Sequence, residues 1–412
     1  MPDMPESLKS NLLAQLASRN SVPESLLKEL TSLPLPNRRQ EEWKYSVPSF
    51  QPAEYQLANP GSTAPEHPAG LPENALRLVF SAGKFMPEWS SEIPEGLELQ
   101  TVFEAAALEP YAENFFSKLN EATASDTGIM LRIAQNVQLQ VPLILLHTGP
   151  GNASGQWMQP RISVELKENS SASIAEVYLA TDGSVLNLVN EIRLASGASL
   201  RWLNFQEGHA GSILINQSRV QLQKDAQFKH QVFSMSDGFV RNNLDVHIAG
   251  KAAHADLLGL SLGAGKSHCD HHSFMHHAVE HTTSNQLYKG VFAGKSTGVF
   301  NGKILVDQEA QKTNAYQSGR NLLLSADAHV FAKPQLEIFA DDVKCSHGAT
   351  IGQLDDEPLF YLRSRGLDLA SARLLLVRAF ASDIIMQVED EGLRHFAEER
   401  VIQHLDAITR NL

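Results

Sequence analysis

The clearest chemical candidates in this chain are a cysteine and a histidine two positions apart, Cys345 and His347. They end the run 334–350, in which polar and apolar residues alternate as in a β-strand. Successive strand side chains point to opposite faces, so Val343, Cys345 and His347 are expected on one face. A thiolate beside an imidazole makes a metal or iron–sulfur ligand pair, or a nucleophile with its base. Structural zinc takes four ligands, so other parts of this chain or another chain must complete such a set.

A second candidate is the run 268–281, which holds six of the sixteen histidines. On a helix, histidines four apart such as His277 and His281 would pair, whereas on a strand Asp270 and His272 would share a face. The run contains no known zinc-binding spacing. We therefore expect polar positions on a sheet face or a partner interface, with a metal site using His272, His277 and His281 as the alternative.

Two segments imitate phosphate-binding loops, Gly263–Ser267 and Ala293–Ser296. The loop pattern requires a glycine five residues before the Gly-Lys-Ser tail, and Leu260 and Lys289 stand there instead. A phosphate loop also leads from a strand into a helix, which the surrounding strand-like pattern does not supply. Both segments are predicted to be turns, and the chain is not expected to hydrolyse ATP by itself.

Composition narrows the class of protein. The chain has 412 residues, 42% of them hydrophobic and 20% charged, and a formal net charge of −13. That charge argues against non-specific binding to nucleic acid or to an anionic membrane. Apolar runs fall short of the roughly 20 residues that span a bilayer. Two cysteines without a disulfide framework suit a reducing compartment, so a cytoplasmic protein is predicted.

Residues 1–125 are predicted to form a helical and small α/β region. Leucines that recur every four residues predict two short helices within 6–33. A stretch rich in Pro, Gly, Ala and Ser at 48–72 predicts a linker or an irregular segment. Residues 75–125 combine a strand at 76–80 with helical segments, which predicts a small α/β unit.

Residues 126–352 are predicted to be the β core, because their pattern repeats. In each repeat an alternating strand is followed by a polar turn, an alanine and another alternating strand. The first four marker alanines are 26, 28 and 27 residues apart and the last two are 18 apart: Ala172, Ala198, Ala226, Ala253, Ala310 and Ala328. A regular period of short strands without intervening helices predicts a β-solenoid. The alternative, a β-sandwich, has no reason to keep a constant period.

Residues 353–412 have a helical pattern. Asp355 and Asp368 can cap two helix starts, and Gly366 follows the end of the first helix. A third stretch carries an apolar stripe from Leu393 to Leu412. Such a subdomain could cap one end of the solenoid or present an apolar helix face to a partner.

Several longer segments, one near the start and the others between 286 and 366, occur in a characteristic order. They are Arg39–Tyr45, Tyr288–Gly290, Val299–Gly302, Ala310–Thr313, Asn321–Leu324, Pro334–Ile338, Asp341–Thr350 and Leu359–Gly366. Together they resemble the SufD family, the cluster-less partner of SufB in the Suf iron–sulfur assembly system. The resemblance rests mainly on the C-terminal half of the chain.

The resemblance implies a mainly β fold with a right-handed parallel β-helix core between an N-terminal helical region and a C-terminal helical subdomain. It implies a non-catalytic scaffold that pairs with SufB through the β-helix and holds the SufC ATPase on its C-terminal helices. The docking residues expected from the matching segment are Leu359, Phe360, Tyr361, Arg363 and Arg365. For the two arginines, bonding to the free carbonyls at the end of their helix is an equal alternative.

The resemblance also implies a role for the Cys-His pair. The matching histidine, His347, is expected at the interface with SufB, where a transient iron–sulfur cluster would be built with a SufB cysteine and shared by both chains. Cys345 is the second expected residue of this site. The sequence leaves open whether a flavin binds in the complex and whether the chain forms homodimers.

Three rival interpretations remain from the sequence. A solenoid hydrolase or lyase acting on carbohydrate would need a carboxylate constellation that is not evident. A metal-dependent enzyme centred on 268–281 would bind metal stoichiometrically by itself. SufB is related to SufD, but the run Lys344–Thr350 and the low cysteine count favour SufD.

Overall fold

A computed structural model describes the following residues of the chain: 5–19, 21–50, 55–59, 68–101, 114–149, 155–180 and 182–410. The structure is mainly β, with a β-solenoid of about eight turns and helices at both ends of the sequence. The predicted solenoid is therefore confirmed.

The strands of the described residues lie in two sheets. In chain order they are β1 (Gln56–Leu57), β2 (Leu76–Ser81), β3 (Lys84–Phe85), β4 (Leu97–Gln100), β5 (Gly128–Ile133), β6 (Leu143–Thr148), β7 (Gln156–Met158), β8 (Arg161–Leu166), β9 (Ser171–Ala180), β10 (Val185–Leu194), β11 (Ser199–Gly208), β12 (Ile213–Leu222), β13 (Gln227–Ser236), β14 (Phe239–Ile248), β15 (His254–Gly263), β16 (His268–His277), β17 (Thr283–Phe292), β18 (Thr297–Val306), β19 (Asn314–Leu323), β20 (His329–Ile338) and β21 (Lys344–Gly352).

Consecutive strands of the solenoid alternate between the two sheets. Sheet A runs in the order β20-β18-β16-β14-β12-β10-β8-β5-β4, with β1 and β7 beside it, and sheet B runs β21-β19-β17-β15-β13-β11-β9-β6-β2-β3. Neighbours are parallel except for the antiparallel pairs β2–β3 and β4–β5. Each coil of the solenoid thus contributes one strand to each sheet.

The helices of the described residues flank the two sheets. They are α1 (Glu6–Ala17), α2 (Glu24–Ser32), α3 (Phe115–Glu121), α4 (Ala124–Thr127), α5 (Asp356–Ser364), α6 (Leu369–Ile385) and α7 (Glu391–Arg410), with short 3-10 helices at Glu41–Trp43 and Pro87–Trp89. The two helices predicted within 6–33 are confirmed as α1 and α2. No helix in this part of the chain is long and apolar enough to cross a membrane.

The repeat length varies because the turns between strands vary. Paired residues in adjacent coils are 26 positions apart at Ile213 and Phe239 and 32 apart at Thr297 and His329. The marker alanines at 198 and 226 close equivalent turns, but Ala172 lies inside β9, opposite Leu200. The interpretation of Ala172 as an equivalent marker is therefore wrong. The 18-residue spacing between Ala310 and Ala328 arises because these two alanines lie in successive turns of one coil.

The solenoid interior is filled by the inward-facing residues of both sheets. Apolar side chains such as Ile192, Trp202 and Phe228 form a continuous buried cluster along its length. One close approach depends on glycine: a Cβ on Gly302 would overlap the side-chain amide of Gln317. Replacing Gly302 would therefore force the buried Gln317 side chain to shift.

The N-terminal helices cover the outer face of sheet A. Leu12, Leu30 and Phe116 pack with outward-facing strand residues such as Trp157 and Ile215 in one buried cluster. Apolar helix faces are buried because they remove apolar surface from water, at roughly 25 cal/mol per Å².

The segment 75–125 joins the solenoid. Its strands β2 and β4 extend the two sheets by pairing with β6 and β5, respectively. Of the linker predicted at 48–72, residues 51–54 and 60–67 lie outside the described residues. The boundaries 1–125, 126–352 and 353–412 stay predictions.

Helices α6 and α7 lie along the outer face of sheet B. Val377 and Phe396 pack in one buried cluster with Phe205, Phe233 and Leu260 of three neighbouring strands. The interpretation of this subdomain as a cap over the solenoid end is therefore wrong. Caps at Asp355 and Asp368 are confirmed, because their carboxylates accept backbone N–H bonds from Glu357 and Ser371.

Candidate functional site

Cys345 and His347 lie on β21, the last strand of sheet B. They do not continue the strand that contains Pro334, because that strand, β20, ends at Ile338 and a turn intervenes. The single strand predicted over 334–350 is therefore two strands in different sheets. In the pairing with β19, Cys345 lies opposite Ala315 and His347 opposite Gln317.

The shared face of these two residues is the inward face of the last coil. Val343 and Cys345 pack against the central buried cluster, as the alternation predicted. Burial raises the pKa of the Cys345 thiol, and a hydrogen bond with the backbone of Ala315 offsets part of this shift. His347, two residues further along the same strand, is exposed. The pair thus combines a half-buried thiol with an accessible imidazole.

Next to His347 in the adjacent coil lies a buried polar group without a partner. Both polar atoms of the Gln317 side chain are buried and make no hydrogen bond within the described residues. A buried amide without partners costs about 1–3 kcal/mol. The last coil therefore presents a half-buried thiol and an exposed imidazole, with this unpartnered amide one coil further in.

The C-terminal end of the solenoid is open. Among the described strands, β20 and β21 each pair on one side only, so the outer edges of both sheets are uncovered. Large apolar side chains are exposed here, among them Ile338, Phe339 and Ile351 at 37%, 63% and 48%. Uncovered strand edges beside exposed apolar residues are templates for pairing with another chain.

The run 268–281 is the strand β16 followed by a turn, so the helical pairing of its histidines does not occur. His272 faces outward and lies 3.0 Å from Asp270, whereas His277 faces the interior and bonds Thr282. Burial lowers the pKa of His277 to about 3. His281 lies in the turn with a φ of 59°. The structure does not bring the three predicted metal ligands together.

No group of three or more His, Cys, Asp or Glu side chains in the described ranges is arranged to hold a metal ion. The second cysteine, Cys269, faces the interior, where its Sγ lies 3.4 Å from Nε2 of His271 and 3.3 Å from Oγ of Ser261. Burial raises its pKa to about 11 and lowers that of His271 to about 4. Both groups are therefore neutral at pH 7, and the thiol is unreactive.

The predicted docking residues lie on α5 and just after it. None of the residues of α5 is buried, and Phe360 and Tyr361 are 74% and 56% exposed. The Arg365 guanidinium lies 5.2 Å from the centroid of the Tyr361 ring. Two adjacent exposed aromatic rings with neighbouring arginines, Arg363 and Arg365, have the composition of an interface hot spot.

Comparison with known proteins identifies the family. Residues 149–380 match the family model described as SUF system FeS cluster assembly, SufBD core domain. The chain belongs to the SufBD family. It is accordingly an iron–sulfur cluster assembly protein of that family, as the resemblance of its segments predicted.

Relatives of this SufBD family chain match over most of its length. It is 34% identical over 386 residues to an iron–sulfur cluster assembly SufBD family protein of Synechocystis sp., covering 87% of this chain and 85% of the relative. It is 29% identical over 401 residues to the iron–sulfur cluster assembly protein SufD of Escherichia coli, covering 95% and 94%. A SufBD family protein of Mycobacterium tuberculosis is 28% identical over 285 residues, covering 67% and 69%.

The N-terminal segment of the SufBD family pattern packs against the histidine-rich strand. The Arg241 guanidinium lies 3.8 Å from the centroid of the Trp43 ring, and it donates to the Glu42 carbonyl at 2.7 Å and to Asp270 at 3.0 Å. His268 bonds the Ser46 hydroxyl at 2.8 Å. His268 and Asp270 of the run 268–281 thus hold the N-terminal segment on sheet A. These contacts account for the two polar residues without a role in catalysis or metal binding.

The Tyr288–Gly290 segment contains a residue that links sheet B to α6, and the sequence analysis did not identify it. The Lys289 ammonium is buried between sheet B and α6, where it pairs with Asp383 and donates to the Phe380 carbonyl at 2.9 Å. A lysine in a predicted strand was the available signal, since buried lysines are rare unless paired. A second link joins Arg400 of α7 to Glu207 of β11.

The two phosphate-loop imitations are turns between strands, as predicted. Gly263–Ser267 connects β15 to β16 and Ala293–Ser296 connects β17 to β18, so both lead into strands. Gly265 and Gly294 have φ values of 56° and 66°, which glycine adopts without strain.

Proposed function

We propose that this SufBD family chain is a SufD-type scaffold subunit without catalytic activity of its own. In this proposal a SufB-like chain covers the open end of the solenoid, and a SufC-like ATPase binds the C-terminal helices. The observation that carries the proposal is the end of the solenoid, where two uncovered sheet edges coincide with Cys345 and His347.

The chemistry of the open end favours a second solenoid as the occupant. A parallel sheet edge offers backbone donors and acceptors at regular spacing, which another strand edge satisfies best. The exposed apolar residues Ile338, Phe339 and Ile351 would be buried by the same contact.

The nascent iron–sulfur cluster, as cargo, would form between the two chains. Cys345 and His347 supply one sulfur and one nitrogen ligand, and a cluster with four ligands needs the rest from the partner. His347 is exposed at the strand edge, so its imidazole could bind a cluster that the partner chain also ligates. An imidazole holds iron less firmly than a full thiolate set, which suits a cluster that is handed on.

The ATPase would act through the helices. α5 presents Phe360 and Tyr361, while α6 and α7 are fixed to sheet B by apolar packing and by the Lys289 and Arg400 ion pairs. Movement of a bound ATPase would therefore be transmitted to sheet B, which ends in β21. We propose that, in the assembled complex where the second chain covers this end, ATP-driven dimerisation of two ATPases exposes Cys345 and His347.

The test is an anaerobic affinity purification of the tagged chain from native cells, read by mass spectrometry. A P-loop ATPase and a second solenoid chain in a fixed ratio would support the proposal. A chain that purifies alone would contradict the proposed scaffold function. Stoichiometric metal that the isolated chain retains through purification would instead favour a metal-dependent enzyme, because such an ion is held tightly.

A further inference from the structure

One pair of imidazoles in the described residues remains without a role. His247 on β14 and His276 on β16 are 29 residues apart in sequence but directly opposite each other in the parallel pairing. Both face outward, because their neighbours Val246 and Met275 are in the central buried cluster. Their Nδ1 atoms lie 2.9 Å apart.

The distance between these two nitrogens fits one metal ion. Imidazole nitrogens bind zinc and similar ions at about 2.0–2.1 Å. Two nitrogens at that bond length and 2.9 Å apart subtend an angle of roughly 90° at the ion. This is the angle between adjacent ligands in octahedral and square-planar sites, which Fe²⁺, Ni²⁺ and Cu²⁺ occupy.

A carboxylate orients one of the two rings. Nε2 of His276 lies 2.8 Å from a carboxylate oxygen of Asp307, so the ring donates its Nε2–H to Asp307. This hydrogen bond fixes the tautomer in which Nδ1 of His276 carries the lone pair that faces His247. Ligand histidines are held by carboxylates in the same way in known metal sites.

The surroundings allow an ion to enter. The His276 and Asp307 side chains are 22% and 41% exposed. The ring centroids of the two histidines are 4.7 Å apart with an interplanar angle of 55°, so the rings converge at one edge. Without metal, a single proton between the two Nδ1 atoms makes an ordinary hydrogen bond, and the metal would replace that proton.

We infer that His247 and His276, oriented by Asp307, form a two-histidine site for one divalent transition-metal ion. Because no cluster of three ligand side chains exists among the described residues, water completes the coordination and the ion exchanges readily. The site is separate from Cys345 and His347, and it would bind metal whether or not the proposed partners are correct.

The test is isothermal titration of the full chain with Ni²⁺ at fixed pH, after removal of any histidine tag. We expect one Ni²⁺ per chain, lost in both His247→Gln and His276→Gln. Asp307→Asn should weaken binding by about 10- to 100-fold, because it removes only the orienting carboxylate. His254→Gln is the matched control, since His254 is a part-exposed strand histidine that faces the Thr283 hydroxyl in the adjacent strand.

A second measurement does not depend on variants. Electron paramagnetic resonance of the unaltered chain with one equivalent of Cu²⁺ should show coupling to two imidazole nitrogens. Coupling to one nitrogen or none would overturn the inference. So would Ni²⁺ binding that persists in both histidine variants, or that falls equally in the His254 control.

Discussion

At the scale of single residues, His347 combines exposure at an uncovered strand edge with a half-buried thiol, Cys345, two positions away on the same strand. The interior histidines bond neighbours in adjacent strands, as His277 does with Thr282 and Ser284. His347 has Gln317 beside it on one side and no strand of the described residues on the other. Its surroundings therefore suit a ligand shared with another chain.

His347→Ala should lower the yield of assembled cluster by at least about tenfold, since loss of a direct ligand costs at least as much as loss of an orienting group. Complex formation should be retained, because the substitution leaves intact the strand edges and the exposed apolar residues to which the contact is assigned. The measurement is anaerobic cluster reconstitution followed by absorbance and iron content. Ser346→Ala, on the opposite face of β21, is the control, and normal yield in His347→Ala would contradict the assignment.

A second residue-scale prediction concerns the groove of about 590 Å³ on the outer face of sheet A, which Asp245 lines. Burial raises the pKa of Asp245 from 3.8 to about 7, although the nearby Arg219 lowers it in part. The folded state thus binds a proton more tightly than the unfolded state. This carboxyl therefore stabilises the fold least above pH 7, and the loss develops as the pH rises from about 4 to 7.

Asp245→Asn should accordingly raise the free energy of unfolding at pH 8 and leave it nearly unchanged at pH 4. One pKa unit corresponds to about 1.4 kcal/mol, and the groove admits some solvent, so we expect about 1–3 kcal/mol. Urea unfolding at both pH values measures the difference. Asp327→Asn in an exposed turn is the control, and equal effects at the two pH values would contradict the assignment.

At the scale of elements, the Lys289–Asp383 ion pair between sheet B and α6 has one buried and one exposed member. The Lys289 side chain is 3% exposed, whereas that of Asp383 is 56% exposed. Removing the acid leaves a buried ammonium that keeps only the Phe380 carbonyl as a hydrogen-bond acceptor among the described residues. Removing the lysine leaves an acid that water can solvate.

Asp383→Ala should therefore destabilise the chain by about 2–3 kcal/mol, and Lys289→Met by less than about 1.5 kcal/mol. Both values come from urea unfolding at pH 7. Arg378→Met breaks the Arg378–Asp406 pair between α6 and α7. It is the control that distinguishes weaker packing between these two helices from loss of the link between α6 and sheet B. A larger cost for Lys289→Met than for Asp383→Ala would contradict this account.

At the scale of the whole molecule, the two candidate partner surfaces are distinct. One is the open end of the solenoid with Ile351, and the other is α5 with Phe360. If each binds a different partner, damage to one surface should leave the other partner bound. Each surface can therefore be altered in turn while the binding of both partners is measured.

Phe360→Ala should weaken ATPase binding by about 30-fold or more, the effect of losing an aromatic hot spot, and keep the second solenoid chain. Ile351→Lys should do the reverse, because it places a charge at the buried contact. Co-purification of the three co-expressed chains measures both. Tyr316→Lys, a similarly exposed position one coil earlier, is the control, and joint loss of both partners in either variant would contradict separate surfaces.

The sequence by itself determined the local features of this protein. Alternation marked the short strands whose regular repetition predicted the solenoid, Asp355 and Asp368 marked two helix starts, and the segments between 286 and 366 indicated the family. These features depend on neighbours a few residues apart, through the two-residue period of a strand and the capping of free N–H groups. The face shared by Val343 and Cys345 followed from the same period.

Only the tertiary structure decided which residues meet across coils. The opposition of His247 and His276, the true register of Ala172 and the position of α6 beside sheet B depend on turns of varying length. Parallel backbone pairing sets the register between strands 26 to 32 residues apart, and no local pattern encodes that offset. The open end at β21 was likewise invisible in the sequence, because an uncovered edge is defined by a missing neighbour in space.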